Sequence, residues 1–384
     1  MDASLVKEVE HVLTNTANMM SHDDFMSLWR AIGTLFWPVL RIMGKNPESF
    51  VQGVRWRYSQ WLSPDHACTW ILPALWCGIR VVRRQRPRVI YATAPPFSSL
   101  VIGALLSKLT RLPLIADFRD LWMSNFDRRP VANFRKWTDP RLERLCVSQA
   151  SKIITTTHLS GQTLCANYPD IPKERFCTIY NGFDSADFPN PGNTLAVRDY
   201  MLICHVGSLY GKQTPEPFLK ALDLAFQEYP DMHHNLRVRF VGKVEQFQSL
   251  LQDRQSNVFV EATGPLPHQQ AIENLLSADV LLLIIGIGGE VVVPGKIFEY
   301  FAARKPIIAC APTEGEAASL LRSHGSCTIV NHSDVEKIKN AIVCHYQRWS
   351  KGDGDTKVFS DAFINQFERR ELTRQLVKLF NEYA

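Results

Sequence analysis

Lys296 and Glu299 stand three residues apart in the run Val293-Pro-Gly-Lys-Ile-Phe-Glu-Tyr300, directly before Phe301-Ala-Ala-Arg-Lys-Pro306 and the apolar run Ile307 to Ala309. Pro294 suits the first turn of a helix, and on a helix this spacing puts both charges on one face. A carboxylate can accept both hydroxyls of a ribose, and a lysine beside it can neutralise a diphosphate, so the pair has the chemistry of a nucleotide site. The same spacing also fits a surface ion pair worth roughly a few tenths of a kcal/mol.

A second candidate is the turn Gly207-Ser-Leu-Tyr-Gly-Lys212. It follows the apolar run Tyr200 to Val206 and precedes a helical pattern that opens near Thr214-Pro215 and continues through Phe218, Leu219, Leu222 and Phe226. Strand, glycine turn and helix N-terminus together gather backbone N–H groups and the positive end of a helix dipole, which suits a phosphate. Lys212 adds a full charge there. The turn is neither a Walker A sequence nor a G-x-G-x-x-G fingerprint, so an ordinary strand-to-helix turn is the alternative.

The elements that must carry these residues alternate in type. Short β-branched runs separated by helical stretches predict strands at Arg88–Thr93, Pro113–Asp117, Lys152–Thr156 and Phe176–Tyr180, then at Tyr200–Val206, Val238–Val241, Val258–Thr263, Val280–Ile285, Pro306–Ala309 and Cys327–Val330. That rhythm is the signature of parallel strands joined by crossover helices, an α/β fold. The breaker-rich segment Pro189-Asn-Pro-Gly-Asn-Thr194 marks a boundary between residues 1–190 and 191–360. The second part has the proportions of one doubly wound nucleotide-binding domain. Residues 1–87 break the rhythm: they are tryptophan-rich, helical or irregular, and offer no convincing strand. Within them Phe25 to Lys45 mixes aromatic and basic residues as an interfacial helix does, although Pro38 interrupts it and a helix packed on the first domain fits it better. Residues 361–384 carry a helical pattern through Phe363, Phe367, Leu372, Leu376, Leu379 and Phe380.

Composition sets the outer limits. With 384 residues, 46% hydrophobic and 21% charged, the chain is globular and neither disordered nor collagen-like. It has no apolar run of about 18 residues and no secretory leader pattern, so a cytoplasmic setting is expected. The nine cysteines are scattered without C-x-x-C spacing, which argues against a disulfide framework or structural zinc. Residues 1–190 hold 23 Lys/Arg against 16 Asp/Glu, and the rest 20 against 22. The basic half is densest at Arg80, Arg83, Arg84, Arg86 and Arg88, a cluster that suits an anionic membrane surface or is simply a solvated helix end.

Several motifs in fixed order make the chain resemble the glycosyltransferase family 4 enzymes. They are Val89-Ile-Tyr-Ala-Thr-Ala-Pro-Pro-Phe-Ser98, Ala116-Asp-Phe-Arg-Asp-Leu-Trp122, Ile179-Tyr-Asn-Gly-Phe-Asp184, His205-Val-Gly-Ser-Leu-Tyr210, Gly264-Pro-Leu-Pro-His268 and Pro294-Gly-Lys-Ile-Phe-Glu-Tyr300. The resemblance implies a GT-B fold, two Rossmann-like domains facing a cleft, with a last helix that crosses back to the first domain. It implies a retaining, metal-independent transfer of sugar from a nucleotide-sugar donor, which is a substrate and not a cofactor, to a glycan or lipid-linked acceptor. Surface-polysaccharide or lipopolysaccharide assembly is the implied setting, with no nucleic acid as partner and with peripheral attachment to the inner face of the plasma membrane.

Carried over by position, the resemblance gives Glu299 the donor ribose. Gly207, Ser208, Lys212 and Lys296 take the diphosphate, and Gly264 to His268 the nucleobase, where His268 also suits a plain helix entry. Asp117, Arg119 and Asp120 follow a strand at its carboxyl end, where open α/β sheets keep their sites; they would face sugar and acceptor as the catalytic group, or Asp117 and Arg119 would pair to fix the loop. Three departures stand out. Val291 occupies the place of an earlier family acid, with Glu290 one position off; Ser208 replaces a frequent arginine; and no strand, glycine turn and helix matching the family's first βα unit is read, so an N-terminal domain lacking that unit is expected. Those departures keep two rivals in view, a nucleotide-sugar epimerase on the same fold and a catalytically inactive, membrane-associated binding subunit.

Overall fold

The computed structural model describes residues 62–125, 128, 131–188, 198–255, 259–286, 290, 292–352 and 360–383. The segment Phe25 to Lys45, most of the atypical first 87 residues, Pro189 to Thr194 and Val291 lie outside the described residues. Contacts divide the chain into two compact units. The first holds residues up to Ile154 with Leu164–Cys177 and Tyr383–Ala384, and the second holds Thr155–Thr163 and Thr178–Glu382.

Among the described residues the chain begins with α1 (Ile71–Gln85), followed by β1 (Ile90–Ala94), α2 (Phe97–Thr110), β2 (Leu114–Phe118), α3 (Asn133–Gln149), β3 (Ala150–Thr155), α4 (His158–Asn167) and β4 (Phe176–Thr178), all in the first unit except Thr155–Thr163, which includes the start of α4, and Thr178, which belong to the second. The strands form a sheet in the order β1-β2-β3-β4, with β1 and β2 parallel and Thr93 opposite Asp117. β2 is buried along its whole length, as a strand covered on both faces must be. Asp65 holds the start of α2 by accepting the Ser98 N–H at 2.9 Å, a capping contact from outside the helix. In α3 the fully buried Asp139 is matched by Arg128 and Arg135, each 2.8–2.9 Å away, so its charge is paired inside the unit.

The second unit runs β5 (Met201–Val206), α5 (Glu216–Glu228), α6 (Met232–Asn235), β6 (Leu236–Val241), α7 (Gln248–Gln255), β7 (Val260–Gly264), α8 (His268–Ser277), β8 (Val280–Ile284), α9 (Lys296–Ala303), β9 (Ile307–Cys310), α10 (Glu316–His324), β10 (Cys327–Val330), α11 (Val335–Ser350), α12 (Asp361–Asn365) and α13 (Arg369–Tyr383). Its six strands are all parallel, in the order β10-β9-β8-β5-β6-β7. Alternate side chains feed two cores. Met201, Ile203, Leu282 and Ile284 pack against α5 and α11, whereas Cys204, Val206, Leu281 and Leu283 pack against α8, α9, α10 and α12. This is the doubly wound arrangement expected for the second half, and the ten strands lie within a few residues of their predicted places.

The chain winds outward from β5 through β6 to β7, then returns to the other side of β5 with β8. The order therefore reverses between β5 and β8, the topological switch point where open α/β sheets place their ligands. Here the two strands pair only at Ile203–Val280 and Cys204–Leu281, then part.

Candidate functional site

The gap where β5 and β8 part is filled by side chains. Tyr300, fully buried on α9, accepts the Val206 N–H at 2.9 Å, and its hydroxyl lies 3.2 Å from the carbonyls of both Val206 and Leu282. Burial pushes this phenol far up, so it stays a neutral hydroxyl that can both donate and accept. His205, also fully buried, sets Nδ1 2.9 Å from the Leu282 carbonyl. Two residues of low prominence in the sequence thus replace the missing ladder bonds and pin α9 to the ends of both strands.

Pinned in this way, α9 presents Lys296 to the glycine turn. The Lys296 ammonium is 3.3 Å from His205 Nε2, and a methyl group added at Gly207 would sit 3.1 Å from it. Gly207 has φ +130°, a backbone that only glycine adopts comfortably, and its N–H donates to the Val241 carbonyl at 2.8 Å. Gly242, at the end of β6, packs so tightly on Gly207 that a Cβ there would approach the Gly207 carbonyl oxygen to 2.6 Å. The two glycines let the ends of β5 and β6 meet, leaving an open turn beside a cation. Burial brings the Lys296 ammonium down to about 8, with Glu299 pulling it upward.

Glu299, half-buried one helical turn further along, has its carboxyl raised by burial. The neighbouring His268 and Arg369 counter that rise, Asp187 adds to it, and Lys296 again lowers it. His268 opens α8 and sets Nε2 3.1 Å from Asp187, so it is a helix-entry residue and also a neighbour of the Glu299 charge. Gly264 closes β7 at φ +73° with open space beside its α-carbon, and its carbonyl accepts the Gly242 N–H at 2.9 Å. Lys212 is exposed; its carbonyl backs onto Gly286, where a Cβ would come within 2.5 Å. Ser208 is half-buried beside Gly207, and Glu290, exposed, lends its carbonyl to the Glu316 N–H at 3.2 Å.

Asp117, Arg119 and Asp120 gather in the first unit, at and just beyond the carboxyl end of β2. Tyr91 on β1 donates its hydroxyl to Asp117 Oδ2 at 2.6 Å, whereas Arg119 stands 3.8 Å away. The close partner of Asp117 is therefore a phenol across the strand pair, not the arginine two residues on. Asp117 is 3% exposed, and its Oδ1 has no partner among the described residues. Burial raises its carboxyl, while Tyr91, Arg119 and Thr93 hold it down. Asp120 is exposed.

Sequence reading missed one more buried carboxylate. Glu316, 6% exposed at the start of α10, accepts the backbone N–H groups of His158 and Leu159 at 2.7 Å each and the Tyr180 hydroxyl. It satisfies the free donors of the first turn of α4 from 157 and 158 residues away. Among the described residues no group of three or more His, Cys, Asp or Glu has the arrangement of a metal site, and no helix is long and apolar enough to cross a membrane.

Comparison with known proteins supplies the context. The family model described as a glycosyl transferase 4-like domain matches residues 36–182, and that of the glycosyl transferases group 1 matches residues 201–348. Among solved structures, the Anabaena protein Alr3699/HepE in complex with UDP is 20% identical, with a TM-score of 0.57 over 80% of this chain and 82% of that one. A glycosyltransferase from Rickettsia africae is 14% identical, with a TM-score of 0.62 over 84% and 83%. The lipopolysaccharide outer core galactosyltransferase WaaB, in its apo form, is 11% identical, with a TM-score of 0.54 over 83% and 82%. No curated protein sequence matches the chain significantly.

Proposed function

The chain belongs to the family 4 glycosyltransferases of GT-B fold, and we propose that it moves a sugar, with retention and without a metal, from a nucleotide-sugar donor to an acceptor hydroxyl. One observation carries this reading furthest: at the switch point of the second sheet, a lysine ammonium stands over a glycine turn while a carboxylate follows three residues later on the same helix. Glycosyl transfer asks chiefly for stabilisation of the leaving diphosphate and for an acceptor held next to the anomeric carbon.

Lys296 and the N–H groups of the Gly207 turn supply the first, with Lys212 adding charge and Ser208 a hydroxyl at the turn. Glu299 takes the ribose hydroxyls, and the Gly264–His268 segment takes the nucleobase. Asp117, backed by Tyr91 and with its buried Oδ1 unpartnered among the described residues, orients the acceptor hydroxyl, and Arg119 and Asp120 flank it. The departing phosphate then receives the acceptor proton on the same face of the sugar, so no dedicated base is needed. UDP in the Anabaena structure and the lipopolysaccharide role of WaaB support a nucleoside diphosphate product and a surface-glycan acceptor. Leu72 and Trp76 lie exposed on α1, with Arg80 stacked 3.9 Å over Trp76 and Arg83 and Arg84 beyond, which supports an anionic membrane surface where such an acceptor resides.

The test is nucleotide protection. Melting temperature measured against millimolar UDP, GDP, ADP, CMP and dTDP should rise for one of them and the rise should vanish in Glu299→Ala. No rise with any nucleotide, in a protein that melts cooperatively, overturns the reading. Once the base is known, product release that depends on added acceptor separates transfer from epimerisation and from an inactive binding subunit.

A further inference from the structure

We propose that His205 is the positioning residue of the donor site, its Nε2 lone pair holding the Lys296 ammonium over the Gly207 turn where the leaving diphosphate binds. This rests on the donor reading above for the phosphate, but not for the contact itself. An ammonium can only donate, so a 3.3 Å contact with Nε2 requires that nitrogen to be unprotonated. The other ring nitrogen meets the Leu282 carbonyl at 2.9 Å, which accepts and therefore places the single proton of a neutral imidazole on Nδ1. The tautomer follows from partners on two different elements. Burial and the neighbouring Lys296 charge both push the imidazole well below its ordinary range, so it stays neutral and keeps its lone pair wherever a nucleotide would be bound.

The consequence is a cation fixed in direction. A lysine side chain is long and flexible, yet here one hydrogen bond sets its ammonium against Gly207, at the carboxyl end of β5. The groups facing Lys296 are the His205 imidazole on β5 and the Glu299 carboxylate on its own helix, and the Leu282 and Gly207 carbonyls face the imidazole from β8 and from the turn. His205 sits on the strand that ends in the turn, so one residue ties together the strand, the turn and the cation.

Two measurements test this. In wild-type protein, long-range proton–nitrogen correlation of the His205 ring should show Nδ1–H with Nε2 bare at pH 7; a proton on Nε2 overturns the proposal without any variant being made. In lysine-labelled protein, the Lys296 signal, identified by its loss in Lys296→Met, should titrate near 8. With His205→Leu it should titrate lower, by about one pH unit or more, because the acceptor that favours the charged form has gone. His205→Gln, which retains an acceptor oxygen, should restore much of the shift. For whichever of UDP, GDP, ADP or dTDP stabilises the wild type, Kd at pH 8 should rise about tenfold or more in His205→Leu and recover in His205→Gln, with acceptor KM unchanged. Equal Lys296 titration in wild type and His205→Leu refutes the positioning role. Failure of the wild type to bind any of these nucleotides, with the Lys296 shift as expected, refutes the donor reading and leaves the His205–Lys296 contact standing.

Discussion

Tyr300→Phe isolates the joint that holds the site together. The ring is fully buried and a phenylalanine fills nearly the same volume, so packing is conserved and the hydroxyl alone is removed. That hydroxyl is the acceptor for the Val206 N–H at 2.9 Å. The ladder to β8 ends at Cys204, and on the other side β6 takes the N–H of Gly207, so the Val206 N–H faces the parting of the strands. The Leu282 carbonyl keeps its bond from His205 and loses little. The cost is thus that of one buried donor left without a partner, about 2 kcal/mol. In a unit of this size that lowers the melting temperature by about 4 to 8 °C. Differential scanning calorimetry reads the shift, and amide hydrogen exchange should show the Val206 N–H losing protection. A melting temperature within 1 °C of wild type, with Val206 equally protected, would refute the argument that the phenol substitutes for sheet hydrogen bonds.

Other variants probe the remaining joints. Gly207→Ala forces a side chain at φ +130° and 3.1 Å from the Lys296 ammonium, so nucleotide protection should disappear while the melting temperature falls by only a few degrees, a split read by thermal melting with and without nucleotide. Glu316→Gln exchanges a carboxylate that accepts two backbone N–H groups for an amide with a single acceptor oxygen, and should cost about 1 to 2 kcal/mol in urea unfolding. The burial-raised carboxyl of Asp117 should give acceptor kcat/KM an acid limb above the ordinary carboxylate range: activity is full at higher pH and is lost as the pH falls through the raised value. Tyr91→Phe, which removes a bond to the charged form, should move that limb upward, and Asp117→Asn should lower kcat/KM for acceptor by about a hundredfold with donor KM unchanged.

Most of the scaffold was legible because its strands are self-announcing. A run such as Val280-Leu-Leu-Leu-Ile284 is apolar on both faces and short, and nothing but a buried parallel strand uses it well. The overreach at Phe176–Tyr180 has a local cause: the chain leaves the strand after Thr178, and Tyr180 turns its hydroxyl to Glu316. Within the site, Lys296 and Glu299 could be read as a pair because helical spacing is local. His205 and Tyr300 could not, since the contacts of His205 with Leu282 and Lys296 and of Tyr300 with Val206 span 77 to 94 residues and form only when β5 and β8 are set side by side. Asp117 shows the same limit in reverse. Its nearest charged neighbour in sequence is Arg119, but the parallel register of β1 and β2 delivers Tyr91, 26 residues upstream, as the tighter partner.

The parting of β5 and β8 also bears on how the second unit is assembled. Its occupants come from the end of β5, from β8 and from α9, so no continuous segment of chain contains the site. The His205 contacts with Leu282 and Lys296 and the Tyr300 contact with Val206 close loops of 77 to 94 residues, and long-range pairing of this kind is slow to form. The His205–Lys296 contact and the Tyr300 joint are therefore expected to form late in folding, after both halves of the sheet have docked. Nucleotide protection becomes, on this view, a clock for refolding: it should lag behind recovery of helical signal and coincide with the appearance of the complete six-stranded sheet.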